Sequence, residues 1–272
     1  MLEKLLSRTH EEEALVGAVA GAADAVPSSP EFFAERVNKL TEGKFNIRVF
    51  AAGDLVPAFQ ALDAVQQGTV EMCHTSSYYY FGKDPTFTFG TALPFGFNAR
   101  MINAWMYHGG GIDLFNDFLK EYKVYALPGG NTGCQMGGWF RKEIKTVDDL
   151  KGLKFRVGGF AGQVLAKLGV VPQQLAASDI YPALEKGTID AAEWVGPHDD
   201  EKLGLGKVAK FYYAPAFWEG SAQLSALVNQ KAFAALPKAY QVAFEAACAE
   251  AHSHMQAKYD ASNTNALRRL IA

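Results

Sequence analysis

Two eight-residue stretches of this chain match in kind, position by position: Ala64-Val65-Gln66-Gln67-Gly68-Thr69-Val70-Glu71 and Ala183-Leu184-Glu185-Lys186-Gly187-Thr188-Ile189-Asp190. Each reads as the end of a helix, a glycine stop, and a strand that opens with Thr, a β-branched residue and an acid. Each also follows an earlier strand that carries an arginine, Arg48 in the first block and Arg156 in the second. Coincidence is the plainer account of so short a match. If the match is structural, two separated strand–helix–strand blocks predict two α/β lobes with parallel sheets. A chain of 272 residues is long enough for both, and 49% hydrophobic with 20% charged residues is an ordinary globular balance.

The rest of the pattern fits between these blocks. Residues 1–30 lack both an amphipathic period and strand alternation, and read as a weak helix or a disordered lead. From Pro30 onward Phe32, Phe33, Val37 and Leu40 share a helical face that ends near Gly43. Phe45, Ile47 and Val49 alternate as a strand does. Pro57 to Gln67 reads as a helix and Thr69 to His74 as a strand. Met101 to Tyr122 is helical at both ends, with a break expected at the triple glycine 109–111. Strands are expected at Val124–Leu127, Cys134–Phe140, Lys154–Val157, Thr188–Pro197 and Ala222–Val228, and a long helix from Pro237 to Tyr259.

Composition excludes several functions. A net charge of −3 leaves no basic footprint for nucleic acid or for an anionic membrane. No apolar run approaches the roughly 18–20 residues of a membrane span. The acidic start (Glu3, Glu11, Glu12, Glu13) is not a signal peptide, so the chain as written is expected to stay where it is made. Cys73, Cys134 and Cys248 form neither a disulfide framework nor a metal set and read as small buried hydrophobes.

The chemistry gathers in the second block. Arg156 ends a short strand before Gly158-Gly159 and presents a rigid, forked cation suited to a carboxylate. Glu193 and Trp194 stand at the carboxyl end of their strand, where open α/β sheets bind ligands. Phe217-Trp218-Glu219-Gly220 again sets aromatics beside an acid, and Gln135 is a polar residue in the apolar stretch Cys134 to Trp139. Singly, each reads more plainly as a solvated acid, a surface arginine or a core indole. Together they compose one cation, two carboxylates, an amide and aromatic walls.

From Phe32 to Ile271 the chain resembles the DctP-type solute-binding proteins of TRAP transporters, closest to the sodium-dependent 2-oxo acid (pyruvate-like) binders. The resemblance rests on Val65 to His74, Trp139-Phe140-Arg141-Lys142, Asp148 to Gly159 and Pro182 to Pro197. It implies a two-lobe, periplasmic-binding-protein-like (type II) α/β fold, with crossing strands and a ligand cleft between the lobes. The implied division is an atypical lead at 1–30, lobe I at 31–134 plus 225–272, and lobe II at 135–224. Arg156 falls on the family's carboxylate-gripping arginine. Gln135, Glu193, Trp194 and Glu219 fall on positions that hold metal and substrate in the 2-oxo acid group, where Trp194 replaces the more usual Asn. Tyr78, Tyr79 or Tyr80 would close from lobe I, with Phe217 among the walls. The resemblance further implies a bound sodium ion (calcium fits the same oxygen ligands), a membrane permease as partner and a periplasmic location. Family text begins with a signal peptide and a first strand and continues beyond Ala272, which leaves a dimer undecided here.

Charge gives an independent reason for the ion. Two carboxylates repel a bound anion, Arg156 offsets one of them, and a hard cation bridging Glu193, Gln135 and the ligand's oxygens reconciles the rest. Two other classes stand beside a transport receptor. One is an enzyme using Glu193 or Glu219 as general base, against which no histidine stands at triad spacing. The other is a sensory binding module with the same ligand site.

Overall fold

The computed structural model describes residues 29–272, and the lead at 1–30 lies, but for its last two positions, outside the described residues. In chain order the elements are α1 (Ser29–Leu40), α2 (Ala61–Gln67), β1 (Met72–Thr75), α3 (Ala99–His108), α4 (Gly111–Leu119), β2 (Val124–Asn131), β3 (Gly138–Phe140), β4 (Lys154–Arg156), α5 (Ala161–Ala166), β5 (Val171–Gln173), α6 (Ala177–Lys186), β6 (Ala191–Ala192), α7 (Pro197–Lys202), β7 (Phe211–Tyr213), β8 (Gln223–Asn229), α8 (Gln230–Ala235) and α9 (Lys238–Ile271). Two compact units form. Unit 1 takes the described residues through Thr75, Asn116–Gly130 and Ser225–His254. Unit 2 takes Ser76–Phe115, Asn131–Leu224 and Met255–Ala272.

Unit 1 is built on a sheet in the order β1–β8–β2, with β1 antiparallel to β8 and His74 opposite Ala226. Its core joins Phe33 and Val37 of α1, Met72, Val228, and Phe244 and Ala251 of α9. Leu40 is not part of this face: it is 47% exposed, because the helix ends there and Thr41 turns the chain away. Residues 45–49 do not form the expected strand but make isolated bridges at Ile47 and Phe50.

Unit 2 carries a five-stranded sheet in the order β5–β4–β6–β3–β7. β4 is parallel to both β5 and β6, the arrangement that the crossover helices α5 and α6 produce. β3 runs antiparallel to β6 and β7. The expectation of parallel sheets is therefore corrected: only β5–β4–β6, joined through crossover helices, are parallel, while β3 in this sheet and β1 against β8 in the other are antiparallel. Phe155 sits in the core against Phe140 and Trp218, at centroid separations of 5.1 and 5.9 Å. Alternation along β4 then puts Arg156 on the opposite face.

The sequence repeat is realised as the same helix cap in each unit. Gly68 (φ 72°, ψ 21°) donates to the carbonyls of Ala64 and Val65, and Gly187 (φ 71°, ψ 21°) to those of Ala183 and Leu184. Asp190, the repeat's acid, then accepts the Lys154 N–H at 2.9 Å, tying β4 to the segment that leads into β6. The glycine run at 109–111 breaks the helix between α3 and α4, with Gly110 at φ 79°.

Three further readings differ from the structure. Residues 76–115 and 255–272 pack in unit 2, whereas the sequence assigned them to lobe I; Gln223 N–H donating to Thr91 O at 3.1 Å and the Tyr259 hydroxyl donating to Asp199 at 2.5 Å are among the bonds that hold them. α9 continues to Ile271 rather than ending at Tyr259. The Asp260-Ala-Ser-Asn-Thr-Asn265 run has weak helix propensity, which tertiary partners override: Asn263 accepts the His198 N–H, Ala266 is fully buried and Arg269 pairs with Glu201. Cys134 is exposed, while Cys73 and Cys248 are buried as expected.

The caps make a matched prediction. Gly68→Ala is expected to lose about 1 kcal/mol, the cost of a left-handed residue with a Cβ. Gly187→Ala is expected to lose a similar amount, because the atom its Cβ would meet, Arg141 Nη1 at 2.5 Å, is the tip of an exposed, flexible side chain that can move aside. Urea unfolding of both variants measures the two losses.

Candidate functional site

The side chains that the sequence singled out for their chemistry meet in unit 2, at the carboxyl ends of the adjacent parallel strands β4 and β6. Arg156 is the last residue of β4 and is 1% exposed. Its Nη1 donates to Glu193 Oε1 at 2.5 Å and to the Glu193 carbonyl at 2.7 Å, and its Nε donates to the Leu175 carbonyl at 3.2 Å. The guanidinium carbon lies 4.8 Å from the centre of the Trp194 ring, within cation–π range. Glu193 is fully buried and also accepts the Gly158 N–H at 3.0 Å.

Backbone hydrogen bonds gather the remaining segments. Gln135 N–H donates to Glu219 O, Met136 N–H to Val195 O, and Ala216 N–H to Gln135 O, at 3.1, 3.0 and 3.1 Å. These bonds set the Gln135 side chain between Trp194 O and Glu219 Oε2. With its amide nitrogen towards them it donates to both, at 2.7 and 2.6 Å, while Thr132 completes the other end at 3.2 Å. With its amide oxygen towards them, three oxygens converge. In that second orientation the amide oxygen stands among acceptors, an arrangement a cation would satisfy.

Several buried polar atoms have no protein partner: Arg156 Nη2, Glu193 Oε2, Glu219 Oε1 and Trp194 Nε1. An unpaired donor on a buried cation and unpaired oxygens on buried carboxylates are costly in a folded protein. Burial raises Glu219 well above the usual carboxylate range, and the like charge of Glu193 adds to the rise; the hydrogen bond with Tyr78 and the charge of Arg156 oppose it. Burial raises Glu193 as well, against the pull of Arg156 and of the Gly158 N–H. The Tyr78 hydroxyl is raised too, by burial and then by Glu219.

Both tyrosines belong to unit 2. The expectation that they close from lobe I is corrected by their packing: the Tyr79 carbonyl accepts Gln174 Nε2 at 3.1 Å, and Tyr78 lies on the Gly158-Gly159 turn. A Cβ on Gly158 would come within 2.9 Å of the Tyr78 ring, so the glycine pair is what admits it. Tyr80 sits in the core against Phe87. Phe217 stacks on Phe95 at 4.9 Å, while Trp218 is buried against Phe155.

The residues that sequence reasoning passed over are Thr132, Gly158 as a donor, and Asp200. Asp200 accepts Tyr212 OH, Trp139 Nε1 and Val195 N–H, and burial pushes its pKa up to about 7. Only its place in the run Pro197-His198-Asp199-Asp200, just past Trp194, could have hinted at it. Among the described residues no group of three or more His, Cys, Asp or Glu is arranged to hold a metal. The oxygens here are two carboxylates, an amide and a main-chain carbonyl, a donor set that suits a hard cation.

Like-charged carboxylates in this setting make the ligand-free protein pH-sensitive. The folded-state pKa values of Glu219 and Asp200 are raised, so their contribution to stability is full below the unfolded value near 4 and is lost as pH rises through the folded one. Without ligand, the melting temperature is expected to fall from about pH 5 to about pH 8. Glu219→Gln should flatten that fall and melt higher at the alkaline end; an unchanged slope would mean Glu219 ionises at no cost.

The chain is similar to known solute-binding proteins. The family described as DctP, bacterial extracellular solute-binding protein family 7, matches residues 16–272. A monocarboxylate 2-oxoacid-binding periplasmic protein from a Nostoc species is 55% identical over 242 residues, covering 89% of this chain and 66% of its own length. A TRAP transporter solute-binding protein from Bordetella bronchiseptica, solved as a dimer with copurified calcium and picolinate, superposes with a TM-score of 0.93 at 53% identity, over 95% of this chain and 77% of that one. One from Pseudoalteromonas atlantica, with bound sodium and pyruvate, has a TM-score of 0.91 at 40% identity, over 96% and 79%.

Proposed function

This chain belongs to the DctP family of bacterial extracellular solute-binding proteins, and from that premise we propose that it binds a small 2-oxo monocarboxylate of the pyruvate kind together with a hard cation, for delivery to a TRAP membrane permease. The family consists of periplasmic receptors, not enzymes, and among the described residues no helix is long and apolar enough to cross a membrane. We place the working location in the periplasm for the same reason.

One observation carries the ligand assignment. Buried together in unit 2 are a guanidinium with a spare donor, two carboxylates with spare oxygens, and an amide and a carbonyl oxygen beside them. An anion alone would worsen the surplus of negative charge, and a cation alone would leave Arg156 Nη2 unpaired. A 2-oxo acid with a cation meets both needs. The ligand carboxylate pairs with Arg156 Nη2, a planar charge-assisted contact. Gln135, Glu193, Trp194 through its carbonyl, and Glu219 would hold the cation, which supplies positive charge to the ligand's oxygens. Sodium and calcium are both compatible with these oxygens, and the relatives described above hold one or the other with a carboxylate. Tyr78 and Tyr79 bound the ligand, and the Trp194 indole N–H, buried without a partner, adds a donor. Phe217 we assign to the wall behind Trp218, at 4.8 Å, not to ligand contact.

Calorimetric titration of pyruvate, with sodium present and absent, tests this. Binding is expected only with a cation, and Arg156→Lys should weaken it by about 10- to 100-fold, the loss of a charged hydrogen bond. Arg156→Ala should abolish it. Wild-type affinity in both variants would remove the assignment. A thermal shift on adding pyruvate and sodium, absent with sodium alone in the variants, reports the same linkage.

A further inference from the structure

Asp200 has no role in the binding just described, yet it is fully buried and takes three donors. Its Oδ2 accepts the Tyr212 hydroxyl at 2.8 Å and Trp139 Nε1 at 3.2 Å. Those two rings are stacked, 4.1 Å apart and 12° from parallel, and fix the carboxylate from one side. Its Oδ1 accepts the Val195 N–H at 3.2 Å. The neighbouring acid, Asp199, is held instead by the Tyr259 hydroxyl.

The Val195 N–H is one end of a planar trans peptide whose other end is the Trp194 carbonyl, so the two groups point in opposite directions. On the carbonyl side lies the Gln135 amide, 2.7 Å from Trp194 O. We propose that Asp200 is a positioning residue of the binding site: by gripping the Val195 N–H it orients and polarises the Trp194–Val195 peptide, so that the Trp194 carbonyl faces the cation as a strengthened oxygen ligand. This rests on the reading that Gln135, Glu193, Trp194 and Glu219 hold a cation.

The physical reason is specific to this contact. An acceptor carrying negative charge draws the N–H proton and pushes electron density through the conjugated peptide to its oxygen, the atom a hard cation needs. The peptide plane has few other restraints: Met136 N–H holds the Val195 carbonyl on the next peptide, and the Glu193 carbonyl on the preceding one accepts Arg156 Nη1. Asp200 is thus the side chain that sets which way the Trp194 carbonyl faces. A neutral side chain of the same shape would keep the packing of Trp139 and Tyr212 but not the polarisation.

The test titrates calcium chloride by calorimetry, at about pH 8 where Asp200 is ionised and with pyruvate present throughout, into the full chain and into Asp200→Asn, Asp199→Asn and Glu219→Gln. Asp200→Asn is expected to lose about tenfold or more in calcium affinity, the usual size of an effect exerted through a ligand's partner. Asp199→Asn, which removes a neighbouring buried acid not bonded to this peptide, should bind calcium as the wild type does. If Asp200→Asn binds like the wild type while Glu219→Gln does not, the proposal falls and the cation site stands. If Glu219→Gln binds like the wild type, or the wild type does not bind, the cation reading falls and the proposal with it. Equal losses in both aspartate variants would also overturn it. Should Asp200→Asn fail to fold, the wild type labelled with 15N-valine answers alone, its Val195 amide assigned with Val195→Ile: that resonance should move downfield as calcium binds, and an unmoved resonance at saturating calcium overturns the proposal.

Discussion

The buried pair of Arg156 and Glu193 is the contact on which the site of unit 2 depends. Taking both charges out of water is expensive, and an ion pair in such a place often stabilises a fold no better than apolar residues would. Its geometry explains why the arrangement is nevertheless useful. One guanidinium nitrogen is spent on Glu193, another on the Leu175 carbonyl, and the third is left with no protein acceptor. Glu193 in turn uses one oxygen for Arg156 and Gly158 and leaves the other. The pair holds itself rigid and still offers a donor and an acceptor, which is the preorganisation that a small charged ligand rewards.

Around that pair the protein accumulates more negative charge than it can neutralise. Glu219 is buried near Glu193, and main-chain hydrogen bonds among residues 135, 136, 195, 216 and 219 hold its segment in place. Such sites cost stability that ligand binding returns, a familiar relation between function and marginal stability. The same surplus explains why a carboxylate ligand and a cation belong together here. Each without the other leaves a buried charge unpaired, so their affinities are expected to be thermodynamically linked.

Much of this was legible from residues alone. The Gly68 and Gly187 stops, the break at 109–111 and the placing of Arg156, Glu193 and Trp194 at strand ends all follow from local rules: glycine tolerates positive φ, and alternation fixes which face a strand residue takes. Gln135 and Glu219 were singled out as polar residues in apolar surroundings. What escaped notice has no local signature. Asp200 reads as one more acid in a charged helix start, and only the stacked Trp139 and Tyr212 and the Val195 N–H give it a task. Tyr78 and Tyr79 are read from the sequence as part of lobe I, whereas their packing on Gly158-Gly159 and Gln174 sets them in unit 2.

Local chemistry determined where elements start and stop and which side chains carry charge, because backbone sterics and short-range hydrogen bonds act within a few residues. Folding decided which of those charges would be buried together, since the partners come from positions 135, 156, 193 and 219. It also reversed β3, carried α9 through a stretch of poor helix formers, and grouped residues 76–115 with the arginine's sheet. Those outcomes depend on contacts between distant parts of the chain, whose energies no single segment contains.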